Sequence, residues 1–242
     1  QETLARNAGG IRAIIANAGN ANACTGPRGM DDARQMAALT AETLGCEPTE
    51  VLVLSTGVIG RHLNMQKLTQ GIADLVSPAA QHGAPFAARA IMTTDTCPKV
   101  AMREIVIGGE KVTISGFCKG SGMIHPNMAT MLAIITTDAI AAPELLQAAL
   151  RSAIDRSINR VSVDGDMSTN DTALLLASGA AGVTIVATEG TEITEGRNDN
   201  NSTSSVPSVA LSAFTAALTE VCVDLAKQIA RDGEGATRLV EI

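Results

Sequence analysis

With no tryptophan, no tyrosine and only three phenylalanines in 242 residues, this chain must close its core with Ala, Ile, Leu, Val and Met. Those side chains are plentiful. Hydrophobic residues make up 45% of the sequence, enough for one large domain or two small ones around a substantial core. The shortage of rings also argues against stacking on nucleobases and against an aromatic ligand cage. Charge points the same way: 18 basic residues against 25 acidic ones leave −7, which repels phosphate backbones and anionic lipid surfaces. Neither nucleic acid nor a membrane is an expected partner.

Cys24, Cys46, Cys97, Cys118 and Cys222 form no CxxC pair, and their odd number leaves one unpaired in any disulfide scheme. A reducing compartment fits best, the cytoplasm or, in a eukaryote, an organelle matrix or stroma. The three histidines lie far apart and no Cys/His cluster has ligand spacing, so no metal site is expected. The longest uncharged stretch, 172–188, is interrupted by Ser178, Gly179 and Gly182 and falls short of a membrane span. It reads as a buried strand and helix. The chain opens at Gln1, without an initiator Met or a signal sequence, and so reads as a fragment or a processed product.

The Ile-rich run 11–17 reads as a buried strand, and the small-residue run AGNANACTG after it as a tight loop. Residues 31–44 read as a helix whose dipole is matched by Asp31 and Asp32. The VLVL run at 51–54 is a second short strand ending at a turn, STGVIG, and 63–76 is an amphipathic helix. Strands are expected at 90–94 and over 103–115, the latter a hairpin joined at Gly108-Gly109, which supplies positive φ. Another strand spans 131–137, a helix entered through Pro143 and Glu144 spans 142–159, and an exposed polar loop spans 188–208. A long alanine-rich helix over 210–231 ends near Gly233 or Gly235. Strands and helices mix without strict alternation, which places the chain in the α/β class in a loose sense, or in α+β.

The most informative segment is CKGSGMIHPNMATMLAIITTDA, residues 118–139. Taken alone, a lysine among glycines and a threonine heading an apolar strand read as loop and core, since Thr is common in strands. The segment nevertheless resembles, almost letter for letter, the self-cleavage signature of the ornithine acetyltransferase family. Further segments follow that family in order: ANAGNANACTG at 16–26, STGVIG at 55–60, TTDT at 93–96, DGDMSTND at 164–171 and DLAKQIARDGEGAT at 224–237.

The resemblance implies a self-processing N-terminal-threonine fold, a layered α-β-β-α sandwich of two sheets between helix layers. It implies cleavage between Ala129 and Thr130, so that 1–129 forms one chain and 130–242 a second that begins with the nucleophile. The chemistry suits these residues. A hydroxyl is a weak nucleophile without a base, and an N-terminal threonine carries one in its own α-amino group, whose pKa is about 7.7 to 8.0. By the same resemblance Thr56 and Gly57 form the oxyanion hole, and Thr93, Lys119, Thr130 and Glu234 contact substrate. Lys119 is cast to hold a carboxylate and Glu234 an ammonium group.

The implied reaction moves acetyl from N-acetylornithine to glutamate in arginine biosynthesis. No cofactor is implied, although some members of the family accept acetyl-CoA as a substrate. The two cleavage products stay together, commonly in an oligomer. Family members extend further at both ends, with an Asn and a Thr of the pocket in the C-terminal part. A hydrolase with the same nucleophile, or a non-catalytic remnant, is the alternative. His125 is read as a loop residue and not a base. Asp164, Asp166 and Asp171 are not read as a calcium loop, because Thr169 and Leu175 stand where an EF-hand needs Gly and Glu. Met123, Met128 and Met131 are read as core filler.

Overall fold

A computed structural model describes residues 2–77, 80, 83–126, 128, 129, 131–186 and 207–241. In chain order the elements are α1 (Glu2–Asn7), β1 (Ala13–Asn20), α2 (Gly26–Leu44), β2 (Val51–Val58), α3 (Met65–Leu75) and α4 (Ala84–Ala90). The hairpin strands β3 (Lys99–Ile107) and β4 (Glu110–Lys119) follow, then the short pair β5 (Ile124–His125) and β6 (Met128–Ala129), and β7 (Leu132–Thr137). The chain continues through β8 (Ile140–Ala141), α5 (Pro143–Asp155), β9 (Thr172–Ala177), β10 (Thr184–Ile185) and α6 (Pro207–Arg231).

The two-residue period of the strands decides the layering, because successive side chains leave a strand on opposite faces. On β2, Val51 and Val53 pack with Met36 of α2 and Ile72 of α3, while Leu52 and Leu54 turn the other way. There they meet Leu132 and Ile134 of β7 and Leu174 of β9. The alternate residues of β7, Ala133 and Ile135, face a third core built with Phe214, Leu218, Leu225 and Ile229 of α6 and with Ala149 and Ala153 of α5. Four layers result, helices on sheet on sheet on helices, which is the α-β-β-α sandwich expected for an N-terminal-nucleophile fold.

The first sheet pairs β1 with β2 in parallel; the second runs β3-β4-β7-β9, antiparallel except for the parallel pair β7-β9. The expected hairpin turns through Gly108 (φ 63°) and Gly109 (φ 91°), left-handed conformations open to glycine at little cost. By length and composition 209–231 is apolar enough to cross a membrane. Its apolar stripe is used in the core instead: Phe214, Leu218, Val221, Leu225 and Ile229 are fully buried.

Several boundaries differ from the sequence reading, for local reasons. Helix α2 starts at Gly26, five residues before the first aspartate, because Pro27 supplies a helical φ at its first turn. Residues 90–94 form no strand. The alanine-rich segment before them is helix α4, entered through Pro85, and the chain then bends where Asp95 binds the backbone N–H of Thr93. The apolar run after β9 makes no helix, since Ser178 and Gly179 turn back onto β7 and β8 by bonding the carbonyls of Thr137 and Ala139. Of the polar stretch 188–208, all but the last two residues lie outside the described ones.

Candidate active site

Strand β2 does not stop before STG, as the sequence reading expected, but continues through it, pairing Thr56 with Ala18 and Gly57 with Gly19. Strand β1 extends with it into the expected loop. The two strands are so close here that a Cβ on Gly57 would lie 2.3 Å from the backbone carbon of Gly19, and Gly57 has φ +130°. Only glycine fits. The Thr56 side chain beside it is buried, 5% exposed.

These residues form one wall of a cavity of about 740 Å³. The other walls come from Met92, Thr93 and Thr94 of the bend after α4, from Lys119, Gly122 and Met123 at the end of β4, and from Glu234 after α6. Asp164, Asp166, Ser168 and Asn170 complete it. Thr56, Gly57, Thr93, Lys119 and Glu234, drawn from four separated segments, are thus brought to one place. Thr130 lies outside the described residues. Its neighbours are described: Ala129 pairs with Ile124 in the short β5-β6 ladder, and the backbone N–H of Met131 donates to Asp171 Oδ1 over 3.0 Å.

Lys119 is only 2% exposed, and among the described residues its ammonium makes no hydrogen bond or ion pair. Burial lowers its pKa, opposed chiefly by the negative charge of Asp95. A buried cation without a close counter-ion is costly unless an anion joins it, so the wall around Lys119 is suited to a carboxylate ligand. Glu234 has another kind of fit. A Cβ on Gly122 would lie 2.6 Å from its Cδ, so the missing side chain of Gly122 is the space that the carboxylate occupies. Thr93 and Thr94 both line the cavity, but the Thr94 hydroxyl is engaged with that of Ser121, 2.8 Å away.

Other polar residues hold this geometry, and the sequence reading gave them no role. Asn170 Nδ2 donates to the carbonyls of Ala21 (2.6 Å) and Ser55 (3.0 Å), fastening the loop 164–171 across β1 and β2. The Asp164 carboxylate accepts the backbone N–H groups of Met123 (2.6 Å) and Ile124 (2.8 Å). Burial opposes its charge, but those N–H groups outweigh it and hold the acid below the usual carboxylate range. Burial pushes Asp171 the other way, up to about 6, against the N–H of Met131 and the charge of Lys119. Met131 is core, as expected, whereas Met123 takes a left-handed φ of 55° and faces the cavity. His125 is an exposed strand residue, not a loop residue.

The ArgJ family model matches residues 1–242, the whole chain. The chain belongs to the ArgJ family. Among curated relatives, an ArgJ-family protein of Symbiobacterium thermophilum named "Arginine biosynthesis bifunctional protein ArgJ" is 50% identical over 234 residues. That alignment covers 97% of this chain and 54% of the relative. The Bacillus licheniformis protein of the same name is 48% identical over 242 residues, again 54% of its length. The chain therefore spans about half the length of the curated ArgJ relatives it matches. Two solved structures are similar too, the first of a protein named ArgJ. The Bacillus halodurans protein is 44% identical, over 55% of this chain and 67% of that one, with a TM-score of 0.48. The Mycobacterium tuberculosis ornithine acetyltransferase complexed with ornithine is 36% identical, over 55% and 68%, with a TM-score of 0.44.

Proposed function

We propose that this ArgJ-family chain supplies the nucleophile, the oxyanion hole and much of the substrate pocket of a glutamate N-acetyltransferase of arginine biosynthesis. The observation that carries the reading is the cavity itself, where a buried Lys119 with no hydrogen-bond or ion-pair partner among the described residues and a carboxylate from Glu234 stand with Thr56 and Gly57. N2-acetylornithine has a carboxylate, a side-chain ammonium group and an acyl carbonyl, and each has a complement here. Family membership and the names of the curated relatives support the same pathway.

Self-cleavage at Ala129-Thr130 frees the α-amino group of Thr130, which takes the proton of its own hydroxyl as the oxygen attacks the acetyl carbon. The Thr56 hydroxyl and the Gly57 backbone N–H donate to the oxygen that becomes negative. The C–N bond of N-acetylornithine then breaks, the proton passes to the departing amine, and acetyl remains as an ester on Thr130. The amine of glutamate attacks that ester, releasing N-acetylglutamate and restoring the hydroxyl. Acetyl-CoA enters only as an alternative acetyl donor, on the resemblance to family members that accept it. The two cleavage products are expected to stay associated, in an oligomer, within a reducing compartment.

The test is product analysis with N-acetylornithine and glutamate as substrates. N-acetylglutamate in step with free ornithine is the expected outcome, while free acetate without N-acetylglutamate would favour a hydrolase. Gly122→Ala offers a separate check on Glu234, because the atom it displaces is the end of a flexible side chain. We expect KM for N-acetylornithine to rise about tenfold, worth about 1.4 kcal/mol of binding, with kcat nearly unchanged. Thermal denaturation should show a stability change within about 0.5 kcal/mol. An unchanged KM would remove Glu234 from the substrate's contacts.

A further inference from the structure

Lys99 is the one lysine among the largest fully buried side chains of the described residues and plays no part in the chemistry above. Its ammonium donates to Asp95 Oδ1 over 2.7 Å, to Asp232 Oδ2 over 2.5 Å and to the carbonyl of Cys97 over 3.3 Å. All three of its protons are thereby used. Each carboxylate then reaches onward. Asp95 accepts the backbone N–H of Thr93 (3.1 Å) and that of Gly120 (2.7 Å), the residue after Lys119. Asp232 accepts the backbone N–H of Thr96 and its hydroxyl, two residues before Glu234. Glu234 in turn donates its backbone N–H to the carbonyl of Ser121 over 2.6 Å.

We infer that Lys99 is a positioning residue of the proposed acetyl-transfer site: clasped between Asp95 and Asp232, it ties together the three segments that present Thr93, Lys119 and Glu234 to substrate. The inference rests on the acetyl-transfer reading. Two carboxylates and one ammonium leave the clasp with a net charge of −1 in a buried place. Replacing buried ion pairs by apolar groups is often neutral or stabilising, so stability alone gives little reason for this arrangement. Its geometry supplies another reason. The flexible substrate must present its carboxylate and its side-chain ammonium at one separation while it reacts, and the clasp fixes the spacing between Lys119 and Glu234 that selects it. Burial lowers the pKa of Lys119, and within the clasp the charge of Asp95 works against that shift while the smaller effect of Lys99 adds to it.

Self-cleavage involves Thr130 and the Thr56-Gly57 pair and should not need this spacing, so the two steps separate the roles. In the full-length protein, Lys99→Met is expected to leave cleavage complete. It should raise KM for both N-acetylornithine and glutamate about tenfold or more, with kcat within about threefold, the pattern of lost uniform binding. Because Lys99→Met leaves two buried carboxylates facing each other, Asp232→Asn is measured beside it. That variant keeps the Lys99–Asp95 pair and should show the same split to a smaller extent, with a cooperative melt. Unchanged KM values in a folded variant, of either kind, would overturn the inference. So would loss of cleavage together with transfer in a folded variant, since Lys99 would then serve the fold at large. If the wild-type protein itself makes no N-acetylglutamate, the acetyl-transfer reading fails first and takes the inference with it.

Discussion

Thr130→Ala is expected to yield a single uncut chain with no acetyl transfer, because the variant lacks the hydroxyl that we propose both attacks the Ala129 carbonyl and later carries acetyl. Wild-type protein should instead run as two chains on a denaturing gel, the second beginning Thr-Met-Leu-Ala. Intact mass and N-terminal sequencing check both statements. Thr130→Ser should keep part of each activity, since it loses only a methyl group. The alanine variant distinguishes mechanisms sharply, because hydroxyl and base belong to one residue and no neighbour replaces them. Substantial transfer by Thr130→Ala would require another nucleophile and sink the self-processing scheme.

Thr56→Ala is the next largest expected effect. Thr56 lines the cavity from β2, next to a glycine whose backbone N–H can serve the same oxyanion. Loss of one such donor costs about 10²- to 10³-fold in kcat, roughly 2.7 to 4 kcal/mol, because the donor acts chiefly where charge develops. KM should change little. Steady-state kinetics on a fully processed variant give the answer, or single-turnover formation of acetyl-enzyme if processing also slows. A variant with unchanged kcat would leave Thr56 as a buried strand residue and no more.

The layers were legible because they depend on local periods. The alternation Val51-Leu52-Val53-Leu54 and the helical spacing of Phe214, Leu218, Leu225 and Ile229 follow from burial on two faces of a strand and one stripe of a helix. The bend at 91–96 was not legible, because an apolar dipeptide before two threonines looks like a strand until Asp95 binds the backbone of Thr93. The STG segment was recognised by its residues but misread as a turn, since parallel pairing with β1, 38 residues earlier in the register of Thr56 with Ala18, carries no local signal. The Lys99 clasp was hidden for the same reason on a larger scale. Asp232 is 133 residues from Lys99, and neither residue stands out where it occurs. Asp95 and Asp232 both lay within segments quoted for the family resemblance, and that was the one available hint.

Helix α6, the last element of the chain described here, covers the outer face of β3 and β4, where Ile114 and Cys118 are fully buried. During synthesis that face stays wet until residue 231 has left the ribosome, so the second sheet must wait as an unpaired apolar surface. The residue that follows the helix, Asp232, closes the clasp on Lys99, and Glu234 two places later reaches the cavity. Docking of α6 therefore does two things at once: it dries this core and brings Asp232 and Glu234 to their places, so that a chain stalled before this point would hold neither.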